Sequence, residues 1–108
     1  MANNIAFQPM GKTIQLTASN VANTTTIYAD SPVNQYLVVS HEKTNGTGHP
    51  VYVRISDSQA NAAYGIPIPP GAMFVFSAAQ CSSTKAAYVS VISETDNPEL
   101  YITPGEGL

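Results

Sequence analysis

Charge is the scarcest property of this sequence. Of its 108 residues, 10% are charged, against about 25% in an ordinary soluble domain. The cations Lys12, Lys43, Arg54 and Lys85 are scattered, so no basic run exists to neutralise phosphates, and nucleic acid is not expected as a direct ligand. Seven Asp and Glu leave a net charge of −3. Ser, Thr, Asn and Gln fill the gap, which gives a wettable but weakly self-repelling surface, suited to packing against other molecules.

Cysteine is nearly as scarce. Cys81 has no second cysteine to pair with. Neither His41 nor His49 is near it in sequence to act as a base, so it reads as a small, partly buried residue in a Gln-Cys-Ser-Ser turn. Long apolar runs are missing, and no segment approaches a membrane span. The start, "MANNIAFQPMGK", lacks the basic and apolar regions of a signal peptide. The sequons at Asn23 and Asn45 are therefore not expected to carry glycans.

Recognisable chemistry is also missing. There is no Gly-x-Ser-x-Gly elbow, no His-Glu-x-x-His, and no phosphate-cradling glycine loop ahead of a helix. His41, Glu42 and His49 flank one loop, but a metal needs three or four converging ligands. Asp30, Asp57, Glu94, Asp96 and Glu99 fall in or beside turns, where carboxylates cap backbone donors. Tyr28, Tyr36, Tyr52 and Tyr88 lie in strand-like runs and read as core residues rather than a sugar platform. No catalytic residue, cofactor or metal is expected, and the chain does not read as an enzyme.

What is present is a period of two. "PVYVRIS" places Val51, Val53 and Ile55 on one face, with Tyr52, Arg54 and Ser56 on the other. "KTIQLTA", "AAYVSVIS" and "ELYITP" alternate likewise, and "TTTIYA" is strand-like by its β-branched content. "QYLVVSH" is continuously apolar over residues 36–39, the pattern of a strand covered on both sides. With residues 73–76 these make about seven short antiparallel strands. They predict an all-β fold, a single small β-sandwich or barrel, jelly-roll or Ig-like.

Turn chemistry separates the strands. Asn45-Gly46 predicts a hairpin joining residues 36–41 to residues 51–56. In "GIPIPPGAMFVFS" the prolines bar a central strand, so residues 66–70 read as an edge or connection leading into residues 73–76. "PPGA" predicts a type II turn with Gly71 at positive φ. Residues 1–11 form an uncharged N-terminal arm, residues 12–103 the sandwich, and residues 104–108 ("PGEGL") a tail expected to form no regular element. The arm carries Ile5, Phe7 and Met10, and such apolar groups should dock on a neighbour or on their own domain.

Taken in order, "FQPMGKTIQLTAS", "SPVNQYLVVS", "PVYVRIS", "GIPIPPGAMFVFS" and "LYITPGEGL" resemble a group of small virion structural proteins of tailed phages and prophages. The resemblance covers nearly the whole chain. It implies a capsid decoration (cement) protein on the virion surface, made in the host cytoplasm and binding the major capsid protein. Its expected grip lies in Ile5, Phe7, Met10, Ile66, Pro67, Ile68, Pro69, Pro70 and Leu108. Self-association is expected too, with a trimer favoured, since closed cyclic symmetry is the default for homo-oligomers. A neck or tail adaptor, a head-fibre base, and a small carbohydrate-binding adsorption module are the alternatives.

Overall fold

The computed structural model describes residues 7–41, 50–57, 65–69, 71–93 and 99–107. They form nine strands in chain order: β1 (Gln8–Pro9), β2 (Ile14–Thr17), β3 (Asn23–Ile27), β4 (Val33–Ser40), β5 (Val51–Ser56), β6 (Ile66–Ile68), β7 (Met73–Cys81), β8 (Ala87–Ser93) and β9 (Glu99–Glu106). Sheet A has the order β1-β9-β4-β7, with β2 also paired to β9, and sheet B has the order β3-β8-β5-β6. All pairings are antiparallel. The described residues occupy a flat slab, 40 by 37 by 19 Å.

The alternation read from the sequence sets the two inner faces. Sheet A contributes Leu16, Tyr36, Val38, Leu100, Ile102 and Pro104, and sheet B contributes Ile27, Val51, Val53, Ile68, Ala87, Val89 and Val91, all buried. The fold is the expected all-β sandwich. From β2 onward every chain connection except β5–β6 passes from one sheet to the other. This winding, with sheets β2-β9-β4-β7 and β3-β8-β5-β6, is that of a jelly roll.

Several expectations need correction. The residue 36–41 and 51–56 strands are not partners in a hairpin: β4 pairs with β7 and β9, whereas β5 pairs with β6 and β8. Asn45 and Gly46 lie outside the described residues. Turn propensity marks where the chain can reverse, but which sheet the next strand joins depends on distant partners. The tail is also strand: β9 continues through Pro104 and Gly105 to Glu106. Pro104 pairs with Tyr36 of β4 on one flank, and on the other it falls in the gap between β2, which reaches Ile102, and β1, which meets only Gly105 and Glu106, so its missing N–H interrupts neither ladder there.

From Phe7 onward the arm folds back on its own domain. Gln8 and Pro9 pair with Glu106 and Gly105. The Met10 amide donates to the Pro104 carbonyl at 2.9 Å, and the Met10 carbonyl accepts from the Asp30 amide at 2.6 Å. A Cβ on Gly105 would run into the Gln8 carbonyl oxygen and the Phe7 ring. Glycine at 105 is thus what lets the arm lie flat on β9.

Candidate functional site

The proline segment behaves as its chemistry requires. β6 is the edge of sheet B and pairs only with β5 among the described residues. A turn then closes with the Ala72 amide donating to the Pro69 carbonyl at 3.2 Å, and Gly71 has φ 76°. Ile66, Pro67 and Pro69 are exposed, but Ile68 is fully buried and faces the core, so its place on the expected contact surface is withdrawn. Phe7 and Met10 are half-buried against their own chain. Ile5, Pro70 and Leu108 lie outside the described residues.

The most conspicuous surface is one that the sequence implied without identifying. Continuous apolar character in β4 predicted cover on both faces. Its inward face, Tyr36 and Val38, is covered by sheet B, while Leu37 and Val39 point outward and stay half-exposed. Register lines them up with neighbours. Val39 lies opposite Tyr101 on β9 and Met73 on β7, and Leu37 lies opposite Thr103 and Val75. The result is an apolar band across three strands, with Met73 48% and Tyr101 37% exposed. Polar pairs bound it on the β2 side, where the Thr13 and Thr103 hydroxyls meet at 2.6 Å and Gln15 Nε2 donates to Glu99 at 3.1 Å. Reading strands singly hid this band; only pairing makes it contiguous.

On one long side of the slab, β7 and β6 are the sheet edges. Phe74 and Phe76 stack there, with ring centroids 6.2 Å apart. A cleft of about 260 Å³ opens between the sheets, lined by Val53, Arg54, Ile55, Gly65, Ile66, Phe76, Ser77 and Ala78. It is smaller than the ~300 Å³ at which small-molecule pockets begin. Among the described residues it reads as a gap between the two sheet edges.

The tyrosines divide otherwise than expected. Of the four read as core, only Tyr36 is a core residue; Tyr28 is 51% exposed, and Tyr52 and Tyr88 are half-buried on the outer face of sheet B. The Tyr36 hydroxyl donates to the Ala79 carbonyl. That carbonyl belongs to an irregularity in β7, where three residues (78–80) oppose the single residue between Val33 and Gln35 on β4. Burial, first, and the adjacent Cys81 side chain, second, push the Tyr36 phenol well above the ordinary tyrosine range. Cys81 ends β7, fully buried and unpaired by disulfide.

No group of three or more His, Cys, Asp or Glu side chains converges among the described residues. His41 is exposed at the end of β4, while Glu42 and His49 lie outside the described residues. The described residues offer an apolar band, an apolar edge and a row of hydroxyls. Compared with family models, with curated proteins and with solved structures, the chain matches none.

Proposed function

We propose that this chain is a tailed-phage virion structural protein, a capsid decoration (cement) protein that binds and bridges major capsid protein subunits. The observation that carries the reading is the uncovered apolar band of sheet A. Leu37 and Val39 belong to β4, the strand written for cover on both sides, and Met73, Val75 and Tyr101 extend their outward face, yet among the described residues only the inward side is covered. An exposed apolar face with little charge around it marks a protein–protein contact. The sequence resemblance names the partner. Jelly rolls serve in viral shells and also in lectins, so the fold is compatible with the role without establishing it.

Quantitative mass spectrometry of purified particles tests this. Hundreds of copies per particle are expected for a shell protein; six or twelve would instead mean a neck or tail part. Particles stripped of the protein should break at lower temperature and regain stability when it is added back. Absence of the protein from intact particles would end the proposal.

One observation favours a second reading. Tyr52 and Tyr88 line the outer face of sheet B among Thr24, Thr26 and Ser90, with the Thr24 hydroxyl donating to Ser90 Oγ at 3.0 Å. Aromatic rings among hydroxyls suit a sugar ligand, so an adsorption module is the alternative. Specific glycan-array binding by the isolated chain, lost on Tyr52→Ala, would select it.

A further inference from the structure

We propose that the outer face of sheet B binds an acidic saccharide, with the Arg54 guanidinium taking the sugar's carboxylate and Tyr52 and Tyr88 flanking it along the sheet. The proposal rests on the sugar reading of this face and names the class of sugar. It leaves the capsid reading free to stand, since that reading uses the outer face of sheet A, the opposite broad side of the slab.

Register builds the site. Alternation along β5 turns Tyr52, Arg54 and Ser56 outward. Arg54 lies opposite Ser90 on β8, and Ser90 lies opposite Thr24 on β3, so a guanidinium and two hydroxyls form one row across the sheet. Tyr52 sits one row to one side. Tyr88, opposite Ser56, sits one row to the other. Tyr52 is thus the same-face neighbour of Arg54 on its own strand, and Tyr88 is its diagonal neighbour, both within reach of long side chains. Four residue positions and one strand separate the two tyrosines, roughly 14 Å at ordinary strand spacings. That is the span of a short oligosaccharide laid along the sheet, with its acid group over the middle.

The chemistry at the centre selects the charge. Arg54 is exposed, and it is the only charged side chain in the strands of sheet B. Its cross-strand neighbours are hydroxyls rather than an acid: Ser90 is 2% exposed and accepts from the Thr24 hydroxyl at 3.0 Å. Asp57, the nearest acid in sequence, lies past the end of β5 and is itself exposed. A guanidinium presents a planar fork of donors that matches a carboxylate bidentately. On a face without carboxylates of its own, that fork is complementary to an anion from outside. The flanking rings add apolar faces with polar tips, which fit the C–H faces and hydroxyl rims of a pyranose chain. An acidic peptide would satisfy Arg54 alone; the hydroxyl row and the paired rings favour the saccharide.

The test is binding of the full chain to trigalacturonate, to sialyllactose, to the methyl ester of each, and to a hexaglutamate peptide. At least one acidic sugar should bind, and should be preferred to its own ester by about tenfold or more, as a charge-assisted pair requires. Arg54→Gln should abolish that preference while the melt stays native, because the side chain is exposed. Arg54→Lys should recover it only in part, since a point charge lacks the fork. Lys12→Gln, on an exposed cation two residues before β2 of sheet A, should change nothing. Equal binding of acids and esters, lost on Tyr52→Ala, would keep the sugar reading and overturn this one. A preference that survives Arg54→Gln overturns it too, and hexaglutamate bound as tightly as the sugar would reassign the face to an acidic peptide. Binding to none of these probes ends the inference, while glycan-array binding to neutral sugars alone would leave the sugar reading intact. Attachment to particles is scored separately, so the capsid reading stands or falls on its own.

Discussion

Tyr36 joins burial, hydrogen bonding and ionisation in one side chain. Its hydroxyl satisfies a carbonyl that the β7 irregularity removed from the ladder. Tyr36→Phe keeps the ring but leaves the Ala79 carbonyl without that donor, which should cost about 1–3 kcal/mol, read as a lower urea midpoint with unchanged slope. The same residue predicts an alkaline limit. In the folded chain the phenol is held above its ordinary value, whereas in the unfolded chain it ionises near pH 10. Above that pH the unfolded state binds fewer protons, so stability is fully present below about pH 10 and falls as pH rises further. Tyr36→Phe should flatten this fall; an unchanged slope would assign it elsewhere. At Gly105 the constraint is space. Gly105→Ala must displace β1 or the Phe7 ring, and forcing a methyl into a filled site costs about 1–3 kcal/mol. Amide exchange of Met10, whose N–H bonds Pro104, should accelerate more than that of the core of β8.

Elements were legible in proportion to how local their causes are. The Val51/Val53/Ile55 and Ala87/Val89/Val91 alternations named inner faces correctly because a period of two is read from one strand alone. The edge status of residues 66–68 and the positive φ of Gly71 followed from proline and glycine stereochemistry. Long-range pairing was not legible. β4 was read as half a hairpin because Asn45-Gly46 is a strong local signal, yet its partners are β7 and β9, far along the chain. The end of β9 was missed because proline and glycine argue against strand, and only the register explains their tolerance: Pro104 lies in the gap between β2 and β1, and Gly105 makes room for β1. The apolar band was hidden likewise, since Tyr101, Val39 and Met73 become neighbours only through register. The turn gives the element-scale prediction. Gly71 at φ 76° closes the route from sheet B to sheet A, its amide donating to the Ser40 carbonyl at 3.0 Å. An alanine there pays roughly 1–2 kcal/mol for the left-handed conformation, and Gly71→Ala should lower the melting temperature by several degrees. An unchanged melt would mean that this turn relaxes freely.

For the whole molecule, the scarcity of charge and the apolar band predict how binding responds to salt. A contact made by charged pairs weakens as ionic strength rises, because the Debye length shrinks from ~10 Å at 0.1 M to ~3 Å at 1 M. An apolar contact is not screened, and strongly excluded salts strengthen it. The outer face of sheet A presents Leu37, Val39, Met73, Val75 and Tyr101 without a cation among them. Attachment to particles should therefore hold between 0.1 and 1 M NaCl, about the range of those screening lengths, and tighten in sulfate. Val39→Lys places an ammonium in the middle of the band and should weaken attachment by about tenfold or more, since each tenfold corresponds to about 1.4 kcal/mol. The same substitution on an outward-facing position should leave the fold intact, as judged by the melt. If attachment instead fell steeply with NaCl while Val39→Lys bound normally, the grip would be electrostatic and would lie on another face of the slab.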